Sequence, residues 1–399
     1  MFLSGDAPVS LSTVFPYFLA DDLSGALDAA AAFHYAGRRV VIALSAKDAP
    51  RFGQPGTQNS GPEDWALGLT TETRNADAAT ASAAVRAAIA IGQARGATLV
   101  YKKIDSTLRG QVAAELAAVL ETLPGTRLLL APANPAVGRT TRDGVLYVQG
   151  VPVHETPFGR DPRSPLRTSR IADLLGEVAK DHDIVIPDIE TPADFTRAVA
   201  AMNAAGAPWL AVGSGGLVHA IAQRVERNPL LHPNLGDRAP NPVLFLAGSA
   251  HPLNRGQVDA LLGARPVDLV VVNPSVRAEG GASVRDGSRR SLVLQLPEVR
   301  VDPAQALDAL ITSALAHLAR TGVRRIFVTG GETAFALCQR LGATRLDYLA
   351  ELEPGVALAE AQTPTGLLHL AVKPGGFGDA QTWIRVFDAL SRPTGDVSR

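Results

Sequence analysis

Along the chain, short runs of consecutive apolar residues alternate with longer alanine-rich stretches whose apolar positions recur every three or four residues. The short runs lack the period-two alternation of half-exposed strands, so they predict strands buried on both faces. "VFPYFLA" (14–20) predicts a strand, "LSGALDAAAAFHYAG" (23–37) a helix closed by Gly37, and "RRVVIAL" the next strand. The scheme repeats through "ALGLT", "ADAATASAAVRAAIAIGQARG", "TLVYKKI", "RGQVAAELAAVLETL" and "RLLLAP". Strands separated by helices imply a parallel sheet covered on both sides. From Pro132 to Pro165 the rhythm breaks, and "VLYVQGVPVHET" predicts a hairpin through Gln149 and Gly150.

Alternation resumes at "DIVIPDI" and "APWLAVGSGGLVHAIAQRV", then stops in "ERNPLLHPNLGDRAPNP" (226–242), which has neither helical nor strand period. A second α/β pattern follows, from "VLFLAGSAHP" and "VDLVVVNP" through "RSLVLQL", a long helix (302–321) and "RRIFVTGGETAFALCQRLG" to "GLLHLAVKPGGFGDAQTWIRVFDAL". With 399 residues the chain has room for two ordinary domains. The expectation is two α/β domains with mostly parallel sheets and a ligand cleft between them. They would be an N-terminal domain (1–232), a linker (233–241) and a C-terminal domain (242–399).

Composition narrows the function. The chain is 46% hydrophobic and 19% charged, with a formal net charge of −1. That balance argues against nucleic-acid binding, and any anionic ligand must be caught locally. An aromatic share of 5% also disfavours base stacking. The one cysteine, Cys338, lies in an apolar helix pattern and reads as a buried free thiol. No intrachain disulfide can form, no lysine or arginine precedes Arg38, and no apolar run reaches the length of a membrane span. The eight histidines show no metal-binding spacing. A soluble cytoplasmic protein is expected.

The unusual polar residues cluster at predicted strand ends, where open α/β sheets bind ligands. "ADDLSG" puts Asp21 and Asp22 after the first strand. One aspartate would suffice to cap the next helix, and here there are two. "TETR" puts Arg74 after the third strand, where a guanidinium could fork onto a carboxylate. "LVYKKIDSTLRG" ends in Lys102, Lys103, Asp105, Ser106 and Thr107, the last three placed to bond the N–H groups of a helix beginning near Leu108. Alternation sends the two lysines to opposite faces, and the whole chain has only five. "GRTTRDG" adds Arg139, Thr140 and Thr141. In the C-terminal part, three glycine-rich turns, "LAGSAHP", "FVTGGETA" and "VKPGGFGD", follow strands and suit a nucleotide or phosphate.

Two alternatives lose ground. "GSGGLVHA" has Val218 where a dinucleotide fingerprint needs a third glycine or alanine, which weakens an NAD(P)-linked oxidoreductase. No lysine follows a glycine, which excludes a Walker A loop. A solute-binding protein would normally be exported. Transfer chemistry, with an acceptor in one domain and a phosphoryl donor in the other, fits better.

Together, "ADDLSGA", "YKKIDSTLRG", "GRTTRDG" followed by "PVHETPFGRDP", "GSGG", "GGETA" and "KPGGFG" resemble the four-carbon acid sugar kinase family, from about Phe15 to Phe387. The resemblance implies an N-terminal acid-sugar domain and a C-terminal nucleotide domain. It implies ATP- and Mg²⁺-dependent phosphorylation of the terminal hydroxyl of threonate, erythronate or 3-oxo-tetronate, with 3-oxo-isoapionate as a branched alternative. Carried over by motif, substrate contacts fall on Asp22, Arg74, Lys103, Ile104, Asp105 and Ser106. ATP contacts fall on Ser249, Gly330, Gly331, Glu332, Thr333 and Gly375. Arg74 would hold the substrate carboxylate, while Asp22 and Asp105 are the candidates to take the hydroxyl proton or help hold Mg²⁺. The family's GSxSxxT pattern reads "GSAHPLN" here, with His251 and Asn254 at the departing positions. Partners are the sugar acid and ATP, without nucleic acid or membrane, and a homo-oligomer is compatible with the sequence.

Overall fold

The first apolar run forms strand β1 (Pro16–Ala20), buried throughout, and Asp22 caps helix α1 (Leu23–Tyr35) by accepting the Gly25 N–H at 2.7 Å. These elements come from a computed structural model of the chain, which describes residues 15–45, 47–48, 64–161, 163–206, 208–222, 241–249, 251–274, 290–297 and 302–392. Two compact units result, Met1–Leu230 and Leu231–Arg399. Of the expected linker, only Asn241 is among the described residues.

In the first unit the chain continues through β2 (Arg39–Ala43), β3 (Trp65–Thr70), α2 (Ala78–Ala94), β4 (Thr98–Lys103), α3 (Val112–Thr122) and β5 (Arg127–Ala131). An antiparallel meander follows, β6 (Arg139–Arg142), β7 (Val145–Val148) and β8 (Val151–Pro152), with the last two joined through Gln149 and Gly150 as the sequence predicts. Then come α4 (Ile171–Leu175), α5 (Glu177–Asp181), β9 (Ile184–Val185), α6 (Pro192–Ala204), β10 (Trp209–Gly213) and α7 (Gly215–Ala222). The sheet runs β2-β3-β1-β4-β10-β5-β9, and every pair is parallel. Alternate strand residues Tyr17, Leu19, Leu67, Leu69, Leu128 and Leu130 pack with Val85 and Ile89 of α2 and Leu116 and Val119 of α3. The opposite face carries α1 packed against α7, with Phe18 stacked on Phe33 at 5.1 Å. Gly68 is required there, because a Cβ would overlap the Phe18 ring.

The second unit comprises β11 (Val243–Ala247), α8 (Leu253–Ala264), β12 (Val267–Val271), β13 (Ser291–Gln295), α9 (Pro303–Thr321), β14 (Arg325–Thr329), α10 (Gly331–Arg340), β15 (Arg345–Glu353), β16 (Val356–Thr363), β17 (Gly366–Lys373) and α11 (Thr382–Ser391). Its strands run β12-β13-β11-β14-β17-β16-β15. The first five are parallel, while β16 is antiparallel to both of its neighbours. Phe245 and Phe327 meet Trp383 of α11 and, with Val258 and Leu261 of α8, make the core on one face. Helices α9 and α10 pack together away from that cluster. Among the described residues no helix is long and apolar enough to cross a membrane.

Candidate functional site

In the first unit, β1 lies between β3 and β4. The helix after β1 covers one face of the sheet, whereas the helices after β3 and β4 cover the other. The chain therefore diverges at the carboxyl end of β1, the geometry that opens a crevice for ligands. Asp21, Asp22, Arg74 and the 104–110 loop all stand at this edge.

Arg74 does not project freely. Its Nε–H donates to Asp21 Oδ2 at 2.8 Å and its Nη1 to Asp22 Oδ2 at 2.7 Å. Its Nη2 donates to Asp21 Oδ1 and to Asp22 Oδ1, both at 2.9 Å. Backbone bonds from the Thr73 and Arg74 N–H groups to the Asp21 carbonyl fix the loop, at 3.0 and 3.2 Å. Burial pushes the Asp21 carboxyl up, but Arg74, Lys102 and Lys103 pull it down further, and the result lies below the usual aspartate range. Asp22 both caps α1 and takes part in this fork, and it also accepts the Ser24 hydroxyl at 2.6 Å. The cap and the functional cluster are one device.

Glu72, which the sequence reading passed over, sits in the same loop at φ 53° and accepts a hydrogen bond from Thr70 Oγ1. A non-glycine residue in the left-handed region stores strain and is found preferentially at functional sites. Burial and the neighbouring Asp22 push its carboxyl up to about 8, so it is neutral at pH 7.

The two lysines do part company. Lys102 is fully buried and pairs with Glu115 of α3 at 2.6 Å, which makes it structural. Lys103 turns towards α1, 3.5 Å from Asp28, and donates to the Ile104 carbonyl at 3.3 Å. The following segment departs from expectation. Helix α3 begins at Val112 rather than near Leu108, and Leu108 itself lies at φ 59°. Asp105 therefore caps no helix and is the hub of its own loop. Its Oδ2 accepts the Thr107 N–H and hydroxyl and the Arg109 Nε at 2.9 Å, while its Oδ1 accepts Arg109 Nη2 at 3.0 Å. Burial raises this carboxyl, but Arg109 and Arg74 together hold it well below the ordinary range. Arg139 enters from β6, donates to Ser106 Oγ, and lies 5.3 Å from the Phe158 ring centre.

The "GSGG" glycines serve packing. A Cβ on Gly215 would overlap the Asp28 carboxylate, and one on Gly216 the Phe195 ring. They let α7 approach its neighbours rather than cradle a pyrophosphate.

In the second unit, β11, β14 and β17 are neighbours, so the three glycine turns lie side by side at their carboxyl ends. The helices following β11 and β14 leave towards opposite faces, which makes another switch point. The turns are in close contact. A Cβ on Gly375 would overlap Ser249 Oγ, and one on Gly248 would overlap Thr333 Oγ1. Helix α10 opens at Gly331, with Gly330 at φ 98°. Gly331, Glu332 and Thr333 thus form its first turn, whose N–H groups have no partner within the helix and suit a phosphate.

Lys373, also missed from sequence, is buried and ties this edge together. Its Nζ donates to Asn254 Oδ1 at 3.1 Å and to the carbonyls of Pro374, Gly375 and Phe377 at 3.2, 3.1 and 2.9 Å. Burial lowers its ammonium to about 8. Asn254 bonds the Ser249 carbonyl at 3.3 Å, and Gln257 holds the Phe377 and Asp379 carbonyls at 3.3 and 2.6 Å. Asn254 therefore links two of the glycine turns. Burial and Lys373 keep the His251 imidazole below its usual value. Among the described residues no group of three or more His, Cys, Asp or Glu side chains could hold a metal ion.

Residues 17–182 match the model of a sugar-binding N-terminal domain and residues 244–383 that of a nucleotide-binding C-terminal domain. The chain is 32% identical to a D-threonate kinase of Bordetella bronchiseptica, over 94% of this chain and 98% of that one. It is 32% identical to a D-threonate kinase of Cupriavidus necator, over 92% and 95% of the two chains. A 3-oxo-tetronate kinase of Methylobacterium radiotolerans is 28% identical over 94% and 98%. Among solved structures, a Salmonella typhimurium protein superposes with TM-score 0.73 at 21% identity, covering 93% of this chain and 98% of that one. A Haemophilus influenzae protein superposes with TM-score 0.66 at 20% identity, covering 92% and 98%. At these identities the structural likeness is one of fold.

Proposed function

The chain belongs to the four-carbon acid sugar kinase family, and we propose that it transfers the γ-phosphoryl group of ATP to the terminal hydroxyl of a four-carbon sugar acid. One observation carries the reading. A carboxylate cluster at a switch point in the sugar-binding unit is matched by three adjoining glycine turns at a switch point in the nucleotide-binding unit. D-threonate is the first acid to test, because the two relatives at 32% identity are D-threonate kinases. The 3-oxo-tetronate kinase relatives support a second reading in which the acceptor is the oxidised acid.

In this reaction the terminal oxygen attacks the γ-phosphorus, its proton leaves, and ADP departs. Asp105 is locked into its own loop by the Arg109 fork and Thr107, whereas Asp22 Oδ2 carries the exchangeable Ser24 hydroxyl, so Asp22 is the better base. Ser24 is the one movable donor on Asp22 Oδ2, and the substrate hydroxyl takes its place there. Arg74 keeps Asp22 oriented. Lys103, Ile104 and Ser106 line the acid site, with Lys103 neutralising charge near the acceptor. Ser249, Gly330–Thr333 and Gly375 hold the nucleotide through backbone N–H groups and the Ser249 hydroxyl. Mg²⁺ would be held by the nucleotide phosphates and water rather than by a three-ligand protein cluster, of which there is none among the described residues. Mg²⁺ commonly relies on phosphate oxygens, water and one or two carboxylates, and bound so it neutralises phosphate charge. The setting is cytoplasmic, where ATP is abundant and the buried Cys338 stays reduced.

A coupled ADP-release screen over threonate, erythronate, 3-oxo-tetronate and 3-oxo-isoapionate tests the proposal. Turnover with a four-carbon acid supports it. Turnover confined to the branched acid would shift the substrate, and NAD(P)-linked turnover alone would defeat it.

A further inference from the structure

Three arginines surround Asp105, and their charges are not equally met. Arg74 is forked onto two carboxylates, and Arg109 onto Asp105 with Asp161 at 3.6 Å. Arg139 has no carboxylate within ion-pairing distance among the described residues. Its fixed contacts are the Ser106 hydroxyl and the face of Phe158, which it shares with Arg109, 5.5 Å from the same ring centre. Burial lowers its ionisation from the ordinary arginine value, and Arg109 and Arg74 add to that against the pull of Asp105. A half-buried cation held by a hydroxyl and an aromatic face is a site prepared for an anion.

The position is rigid. The Arg139 backbone exchanges both hydrogen bonds with Asn134, at 2.8 and 3.1 Å, and pairs with Val148 across the meander. Phe158 is held by the Thr156 cap, in a turn where Gly159 presses against the His154 backbone so closely that no Cβ fits. The "PVHETPFGRDP" segment, which had no chemical role above, thus serves to seat Phe158 beneath two guanidinium groups.

We propose that Arg139, with Ser106 beside it, binds the carboxylate of the sugar acid, and that Arg74 instead positions the Asp21–Asp22 pair. This rests on the sugar-acid reading above. A substrate carboxylate brought to Arg74 would meet two carboxylates already there, and like charges at that distance repel. At Arg139 it meets an unshared guanidinium with a planar fork, the geometry suited to bidentate carboxylate binding. The acid end then lies at Arg139 and Ser106, and the terminal hydroxyl lies towards Asp22. Arg139 sets specificity for an acid over a neutral polyol.

The test pairs each protein with two ligands, the acid that the wild type phosphorylates and the polyol with CH₂OH in place of its carboxylate. Calorimetry and steady-state kinetics are run on the full-length wild type, Arg139→Gln, Arg139→Lys and Arg74→Gln. The wild type should favour the acid on the order of 100-fold. Arg139→Gln should collapse that ratio to within a few-fold by weakening the acid alone, with the ATP KM unchanged, and Arg139→Lys should retain part of it. Arg74→Gln should keep the ratio while losing kcat. A wild type that binds polyol as well as acid overturns the inference without any variant, so a folding defect cannot shield it. An Arg139→Gln enzyme with the wild-type ratio but reduced kcat also overturns it, by moving Arg139 to the transferring phosphoryl group. A wild type that phosphorylates none of the four-carbon acids refutes the kinase reading itself, and this is read before the variants are compared.

Discussion

Replacing Arg74 by alanine removes a guanidinium that donates four hydrogen bonds to two carboxylates. The side chains are 18% exposed for Arg74, 4% for Asp21 and 11% for Asp22. Breaking a buried ion pair by deleting one partner costs about 3–5 kcal/mol, and the slight exposure here argues for the lower end, about 3 kcal/mol. The pH dependence follows from Asp21, whose carboxyl lies below the ordinary aspartate value in the folded protein. The stability it contributes is fully present above that value and is lost as pH falls through the folded value. Without Arg74, burial is opposed only by Lys102 and Lys103, and the carboxyl moves up. The deficit of the variant should therefore be largest near neutral pH and shrink as pH falls, because the variant's raised carboxyl protonates first and the wild type loses its ionised form only below its own lowered value. Urea unfolding of the first unit, followed by circular dichroism at several pH values, measures this. Adding Asp21→Asn to Arg74→Ala should recover about 1–2 kcal/mol, because one stranded charge is gone. In kinetics the variant should lose kcat, whereas a direct carboxylate contact would raise the KM for the acid. A loss below about 1 kcal/mol, independent of pH, would refute the buried fork and return Arg74 to an exposed side chain.

Glu72 has its carboxyl raised to about 8 from 4.5, so the folded protein binds the extra proton between those values and stability falls as pH rises through that window. Glu72→Gln should match the wild type near pH 5 and be the more stable near pH 9, as read by thermal melts. Lys373→Met leaves the Asn254 side chain and three carbonyls without their donor, and should raise the KM for ATP roughly tenfold while sparing the KM for the acid. Gly375→Ala should raise the KM for ATP by forcing the Ser249 turn away. Gly256→Ala, with open space around it inside α8, should leave kinetics unchanged and stabilise by about 0.5–1 kcal/mol.

The parallel sheets were legible because their strands are continuous apolar runs, and "PYFLA", "LFLA" and "RIFVT" all became buried central strands. The β15–β16 pair was not. "RLDYLAELE" mixes charge with apolar residues at the spacing of a strand exposed on one side, which also suits a helix. At the site, sequence located the loops but not the pairings within them. Arg74 lies 53 and 52 positions after Asp21 and Asp22, and only the β1–β3 pairing brings it to them. The expected helix start at Leu108 failed because Asp105 bonds to Arg109 and Thr107 instead of capping, a local competition that propensity does not reveal. Lys373 was visible as one of the chain's five lysines at a strand end, a signal weighed for Lys102 and Lys103 but not there.

The most direct measurement is the identity of the product formed from D-threonate with ATP and Mg²⁺. Phosphorus NMR with mass spectrometry should show one phosphomonoester, its phosphorus coupled to the two protons of the terminal methylene, in step with one ADP per acid consumed. No phosphoester from D-threonate, erythronate or 3-oxo-tetronate, or a phosphate carried on the carboxyl group or an inner hydroxyl, would contradict the account.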